Sequence, residues 1–187
     1  MVLIMAKFKN IFRIESSRLI NWDYTSPWWY YITICTKEHT EYFGRIENHK
    51  MLLNESGAIV ENEWLKTKII RNNVDLDYFV VMPNHFHGIL IINESRDVAR
   101  NVSTQNKFSD LAPKTGSVSA IIHSFKSAVT KNIHEYGCLD FAWQSRFYDR
   151  IIRNERELFN IRRYIEQNPL LWDLEKNSTE PLVKNLY

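Results

Sequence analysis

The 187-residue chain contains only two cysteines, Cys35 and Cys138, far apart and without a CxxC or Cys/His cluster. That scarcity excludes a disulfide framework and a structural zinc site, and the two are expected to be buried thiols. The sequence also lacks any apolar stretch near the roughly 18 to 20 residues that span a bilayer. Its start, MVLIMAKFKNIFR, has neither the long apolar segment nor the small-residue cleavage site of a secretory signal. A soluble, cytoplasmic protein with no membrane partner is the expectation. There is no HExxH motif and no internal repeat. A large net charge is missing too: at +2, composition alone does not announce a nucleic-acid binder.

What is present is the material of one folded domain spanning 1–187. The apolar fraction is 44% and the aromatic fraction 13%, far from the composition of a disordered chain. Charge is unevenly placed. Residues 114–163 hold nine Lys and Arg against five Asp and Glu, leaving 15 basic and 17 acidic residues elsewhere, so the basic excess sits in one stretch.

The aromatic, β-branched run PWWYYITICT (27–36) reads as a first strand. A helix is expected over 56–71, with Ile59, Trp64, Leu65 and Ile69 near helical spacing. DLDYFVVM (75–82) and HFHGILII (85–92) read as two strands joined by the turn formers Pro83 and Asn84. Residues 94–116 are polar and aperiodic, which suggests a long mobile loop. The stripe Val118, Ile121, Ile122, Phe125, Val129 and Ile133 marks a second helix over 117–137 with Gly137 as its stop. A strand at 147–152 and a helix at 155–168, capped by Asn154 and ended by Pro169, complete the chain. The order β-α-β-β-α-β plus a C-terminal helix is the ferredoxin-like α+β arrangement with an antiparallel sheet. In that topology the strand 85–92 is central.

Three groups of residues could carry chemistry. His85 and His87 are i and i+2 on a strand, so they share a face about 6.6 Å apart while Phe86 points the other way to pack. They suit one metal ion, and they equally suit two satisfied polar residues at the start of a strand. With Leu158 set at zero and about 100° per residue, Tyr164 falls at about 240° and Asn168 at about 280°, on the border of the apolar stripe of Leu158, Ile161 and Ile165. Tyr164 can therefore pack its ring and present its hydroxyl, as any amphipathic boundary tyrosine does. Finally, WQSRFYDRIIRNERELFNIRR (143–163) interleaves six arginines with Trp143, Phe147 and Tyr148. Guanidiniums grip phosphates and aromatic rings stack on unpaired bases; a solvated face paired through Glu155 and Glu157 is the alternative.

Taken together these stretches resemble a known family. MPNHFHGI resembles the HUH motif (His, bulky hydrophobic, His) of single-tyrosine transposases. WQSRFYDRIIRNERELFNIRRYIEQNP resembles the C-terminal signature of the REP-associated branch, as do INWDYTSPWWYYITICT, EWL and SFKSAVTK before it. The likeness covers roughly residues 18–173. It implies a DNA transposase and endonuclease that cleaves and rejoins hairpin-forming single-stranded DNA, through a tyrosine nucleophile and a 5'-phosphotyrosine intermediate. Carried over by position, Tyr164 is the nucleophile and His85 and His87 are ligands of a divalent metal, Mg²⁺ or Mn²⁺. Asn168 stands where a third, polar ligand is found in relatives. Lys126, Trp143, Arg146, Arg150, Arg153 and Arg162 are the expected DNA-binding residues. Some relatives share active sites between two chains, so a homodimer is one expectation. The near-neutral charge and the Asn at the third ligand position leave an alternative, a catalytically inactive domesticated protein that binds DNA or RNA hairpins.

Overall fold

The computed structural model describes residues 6–8, 11–13, 18–19, 21–94 and 114–177. The loop expected over 94–116 falls almost wholly outside them. The strands are β1 (Ala6–Phe8), β2 (Ile11–Arg13), β3 (Trp28–Cys35), β4 (Gly44–Glu47), β5 (Lys50–Leu53), β6 (Val74–Met82), β7 (His85–Ile92) and β8 (Tyr148–Ile151). The α-helices are α1 (Glu55–Ile69), α2 (Val118–Tyr136) and α3 (Glu155–Asn177).

The four long-range strands form one antiparallel sheet in the order β6-β7-β3-β8. The β-α-β-β-α-β order with a further helix is as expected, and β7 is an inner strand. Two short hairpins, β1-β2 and β4-β5, are additions. Asn48 and His49 at the tip of the second hairpin both have positive φ, 51° and 62°, the conformation a two-residue reversal asks for.

Alternation sorts the sheet into two different faces. Tyr30, Ile32, Ile34, Phe86, Leu90 and Ile92 point to one side, where α1 contributes Val60 and Trp64 and α2 contributes Ile121, Phe125, Val129 and Ile133. The opposite face carries Tyr31 and Ile89 against Leu158 and Ile165 of α3. The sheet is thus sandwiched between two helices and one, which explains why β7 is buried on both sides. Gly88 belongs to this packing: a Cβ there would come 2.8 Å from both Phe86 and Trp64, so the bare backbone lets those rings close over the strand.

Helix ends follow the local chemistry. Asn54 and Asn154 accept from Gly57 N at 3.0 Å and Glu157 N at 2.9 Å, and Ser117 accepts from Ala120 N at 3.3 Å. Gly137 ends α2 at φ 113°. Three expectations are corrected. The buried stripe of α1 is Val60, Trp64 and Thr67, whereas Leu65 and Ile69 are exposed, because the helix turns its Trp64 edge to α2 and the sheet. Pro169 does not end the last helix: it sits inside α3, which runs on to Asn177. The lost backbone bond there is offset by side-chain ties to the β4-β5 region, His49 Nδ1 to Asp173 at 2.9 Å and Lys176 Nζ to Glu41 at 2.6 Å. Cys35 and Cys138 are unpaired thiols, only half buried.

Candidate active site

The α3 face of the sheet collects the chemistry. Antiparallel register aligns Tyr148, Thr33, His87 and Val80 across β8, β3, β7 and β6, with Tyr31 paired to Arg150 one row away. Docking α3 through Leu158 and Ile165 brings Tyr164 over this row. The Tyr164 ring centre lies 5.4 Å from that of His87 and 6.5 Å from that of Tyr31, both edge-on. Nucleophile candidate and imidazole therefore meet within one chain, on one face.

His87 is 4% exposed. Its Nδ1 lies 2.8 Å from the Tyr31 hydroxyl and 2.9 Å from that of Thr33, and the Tyr31 ring stacks on it at 5.6 Å and 19°. Its Nε2 is buried with no hydrogen-bond partner among the described residues. Burial first, and the neighbouring His85 second, hold the imidazole well below its ordinary pKa, so the ring is neutral. Burial likewise pushes the Tyr31 phenol far up, which keeps it protonated.

His85 is half buried, its ring centre 4.7 Å from that of His87 and 5.6 Å from that of Trp172 on the extension of α3. Its protonation can be read from its neighbour. Asn84 donates Nδ2–H to the His39 carbonyl at 2.9 Å, which turns its Oδ1 toward His85 Nδ1 at 2.7 Å. An amide oxygen only accepts, so Nδ1 carries a proton.

These features fit a divalent ion. A buried, neutral imidazole with an orphaned Nε2 is a ligand in waiting, and its other nitrogen is already held, as in metal-bound histidines. Two cis imidazoles on one octahedral ion, with bonds of about 2.1 Å, would have ring centres about 4.6 Å apart, close to what is seen here. Asn168, 6% exposed, lies one turn after Tyr164. Among the described residues no three His, Cys, Asp or Glu side chains cluster to hold a metal.

Beside Tyr164 and His87 opens a groove of about 600 Å³ lined also by Tyr148, Arg150, Arg156 and Asn160. Arg150 pairs with Glu157 at 2.6 Å and stays 42% exposed, available to a phosphate at the cost of a solvent-facing pair. The other expected DNA-binding residues are dispersed. Arg146 and Arg153 are exposed outside the groove lining. Arg162 is engaged with Asp77 at 2.7 Å and lies over the Tyr78 ring. Lys126 donates to the Gln144 carbonyl at 2.6 Å, and burial lowers its pKa; it ties the chain before β8 to α2. Trp143 is the clearest departure. Its ring packs against Phe43, Phe125 and Phe141 in the α1–α2 core, so it is not presented for stacking on a base. Tyr31, Thr33 and Asn160 are site residues that sequence reasoning did not single out, and Arg156 was one of the six arginines without being chosen for DNA. The signal was available for the first two, since i and i+2 alternation on the strand beside the histidines puts both on the histidine face.

No family model matches the chain. An uncharacterised protein of Haemophilus influenzae is 36% identical over 164 residues, which covers 87% of this chain and 91% of that protein. Among solved structures, a REP-associated tyrosine transposase bound to a REP hairpin superimposes with a TM-score of 0.55 at 18% identity, over 83% of this chain and 74% of that one. A structure from Deinococcus radiodurans, described as a transposase, covers 82% of this chain and 98% of its own at 16% identity; its TM-score of 0.43 is too low to carry an argument. No helix among the described residues is long and apolar enough to cross a membrane. The chain thus belongs to one family with the Haemophilus influenzae protein, and its fold is that of the REP-associated tyrosine transposase.

Proposed function

We propose that the protein is a metal-dependent, transposase-like nuclease that cleaves and rejoins hairpin-forming single-stranded DNA with Tyr164 as nucleophile. The observation that carries this reading is the meeting of Tyr164 with His87, ring centres 5.4 Å apart, at one groove, the buried imidazole's Nε2 having no hydrogen-bond partner among the described residues. The transposase that shares the fold is itself bound to a REP hairpin. One chain supplies both groups to this proposed site.

The steps are assigned to this chain's residues. Arg150 and Arg156 at the groove receive backbone phosphates, and the exposed ring of Tyr148 offers a face to an unpaired base. The Tyr164 oxygen attacks phosphorus, the bond to the 3' oxygen breaks, and the phenolic proton is made good on that leaving oxygen. A 5'-phosphotyrosine and a free 3'-hydroxyl result, and the retained phosphoester energy lets the reverse attack rejoin strands without a nucleotide cofactor. A divalent ion held by His85 and His87, with Asn168 as third donor, would polarise the scissile phosphate and offset the charge that develops on it. Mn²⁺ or Mg²⁺ suits such a set of nitrogen and oxygen donors.

Incubation with end-labelled hairpin single strands and Mn²⁺ should give cleaved strand and a protein-linked label, both absent with Tyr164→Phe. Cleavage that persists in that variant would move the nucleophile elsewhere. A second reading, hairpin binding to DNA or RNA without cutting, is favoured by one feature, the neutral carboxamide of Asn168 where a carboxylate would bind metal more strongly. Salt-sensitive hairpin affinity with no adduct under Mn²⁺ or Mg²⁺ would establish it.

A further inference from the structure

We infer that Tyr31 and Thr33 are positioning residues for His87: their hydroxyl oxygens receive its Nδ1–H and so leave Nε2 as the lone-pair donor to a divalent cation. The inference rests on the metal reading of His85 and His87 given above.

A neutral imidazole carries one N–H and can act as a ligand only through the other nitrogen. His87 Nδ1 has two oxygens within 2.9 Å, both from β3, and Nε2 has no hydrogen-bond partner among the described residues. β-Strand alternation makes this a local consequence of sequence. Tyr31 and Thr33 are i and i+2, so they share the face, and Thr33 is the register partner of His87. The stacked phenol fixes the plane of the imidazole, and the hydroxyls fix its rotation within that plane. Through their shared contact with Nδ1 the three groups form one connected unit.

Hydroxyls differ from the carboxylate often found behind a metal-bound histidine. Because no negative charge stands behind His87, its basicity depends on geometry more than on charge. Loss of the hydroxyls should therefore be felt chiefly as loss of orientation.

The experiment is titration of Mn²⁺ against the full chain, followed by the disappearance of the free-ion EPR signal. It uses wild type, Tyr31→Phe, Thr33→Val, Thr33→Ser and the Tyr31→Phe/Thr33→Val pair, with thermal unfolding recorded for each. The double variant should bind about tenfold or more weakly, as outer-shell losses generally cost. Thr33→Ser, which keeps the hydroxyl, should bind like wild type. A merely structural role would weaken Ser and Val alike or lower melting without touching affinity. If the double variant fails to fold, the Val and Ser pair decides. A double variant that binds Mn²⁺ as tightly as wild type overturns the inference and leaves the metal platform standing. A wild type that binds no Mn²⁺ removes the platform and the inference together.

Discussion

Acid should destabilise this protein through His87, and the size of the effect follows from where the ring is buried. In the unfolded chain its imidazole protonates near the ordinary value of 6.5, whereas the folded environment of Tyr31, Thr33, Tyr164 and His85 holds it well below. The sign is fixed by proton counting. Between those two values the unfolded chain binds the extra proton, so stability is intact above about pH 6.5 and drains away as pH falls toward the folded value. For one site that stays neutral in the fold, the loss between pH 7 and pH 5 is about 2 kcal/mol. Other groups titrate in that range, so the measurement is a difference. Urea unfolding of metal-free wild type and His87→Leu, a non-titrating side chain of similar bulk, should be compared at several pH values. Wild type should lose about 2 kcal/mol relative to the variant on acidification, a midpoint change of about 1 M urea at the slope usual for a chain of this size. A difference that stays flat, or wild type gaining on the variant at low pH, would show that His87 is not a buried neutral ring and would remove the basis for its role as a ligand.

Trp143→Ala should cost about 3 to 5 kcal/mol in chemical denaturation, the usual penalty for removing a ring from an aromatic core, and hairpin affinity per folded molecule should hold. Loss of affinity at unchanged stability would put the ring on the DNA instead. Arg156→Ala should weaken hairpin binding and make the slope of log affinity against log salt shallower by about 0.7 to 0.9, one phosphate contact, with Arg150→Ala smaller because Glu157 already shares that charge. An unchanged slope in Arg156→Ala would take the groove off the DNA path.

Much of this was legible because strands declare their faces. HFH flanked by apolar residues, with a turn at Pro83 and Asn84, fixes a hairpin, sets Phe86 against the helices and puts both histidines opposite it. The helical spacing from Leu158 to Ile165 set Tyr164 on the border of a buried stripe, and the groove is there. What stayed hidden depends on partners distant in sequence. Pro169 reads as a stop because local chemistry makes it one; the partners that hold the helix beyond it, His49, Glu41 and His85 among them, lie far back in the sequence. Trp143 beside Arg146 has the composition of a stacking site, and nothing local shows that Phe43, Phe125 and Phe141 converge on it. The β4-β5 hairpin was missed for a similar reason: four-residue strands alternate too briefly to stand out from a turn-rich segment.

The most direct test of the central claim is identification of the residue that becomes linked to DNA. Hairpin single strand and Mn²⁺ would be incubated with the full chain, the product digested, and the peptide bearing the nucleotide mass sequenced. The expected result is a single modified residue, Tyr164, joined to the 5' end of the released strand. A modification at Tyr148 or Tyr31, or clean cleavage with no protein-linked product while hairpin binding is intact, would contradict it.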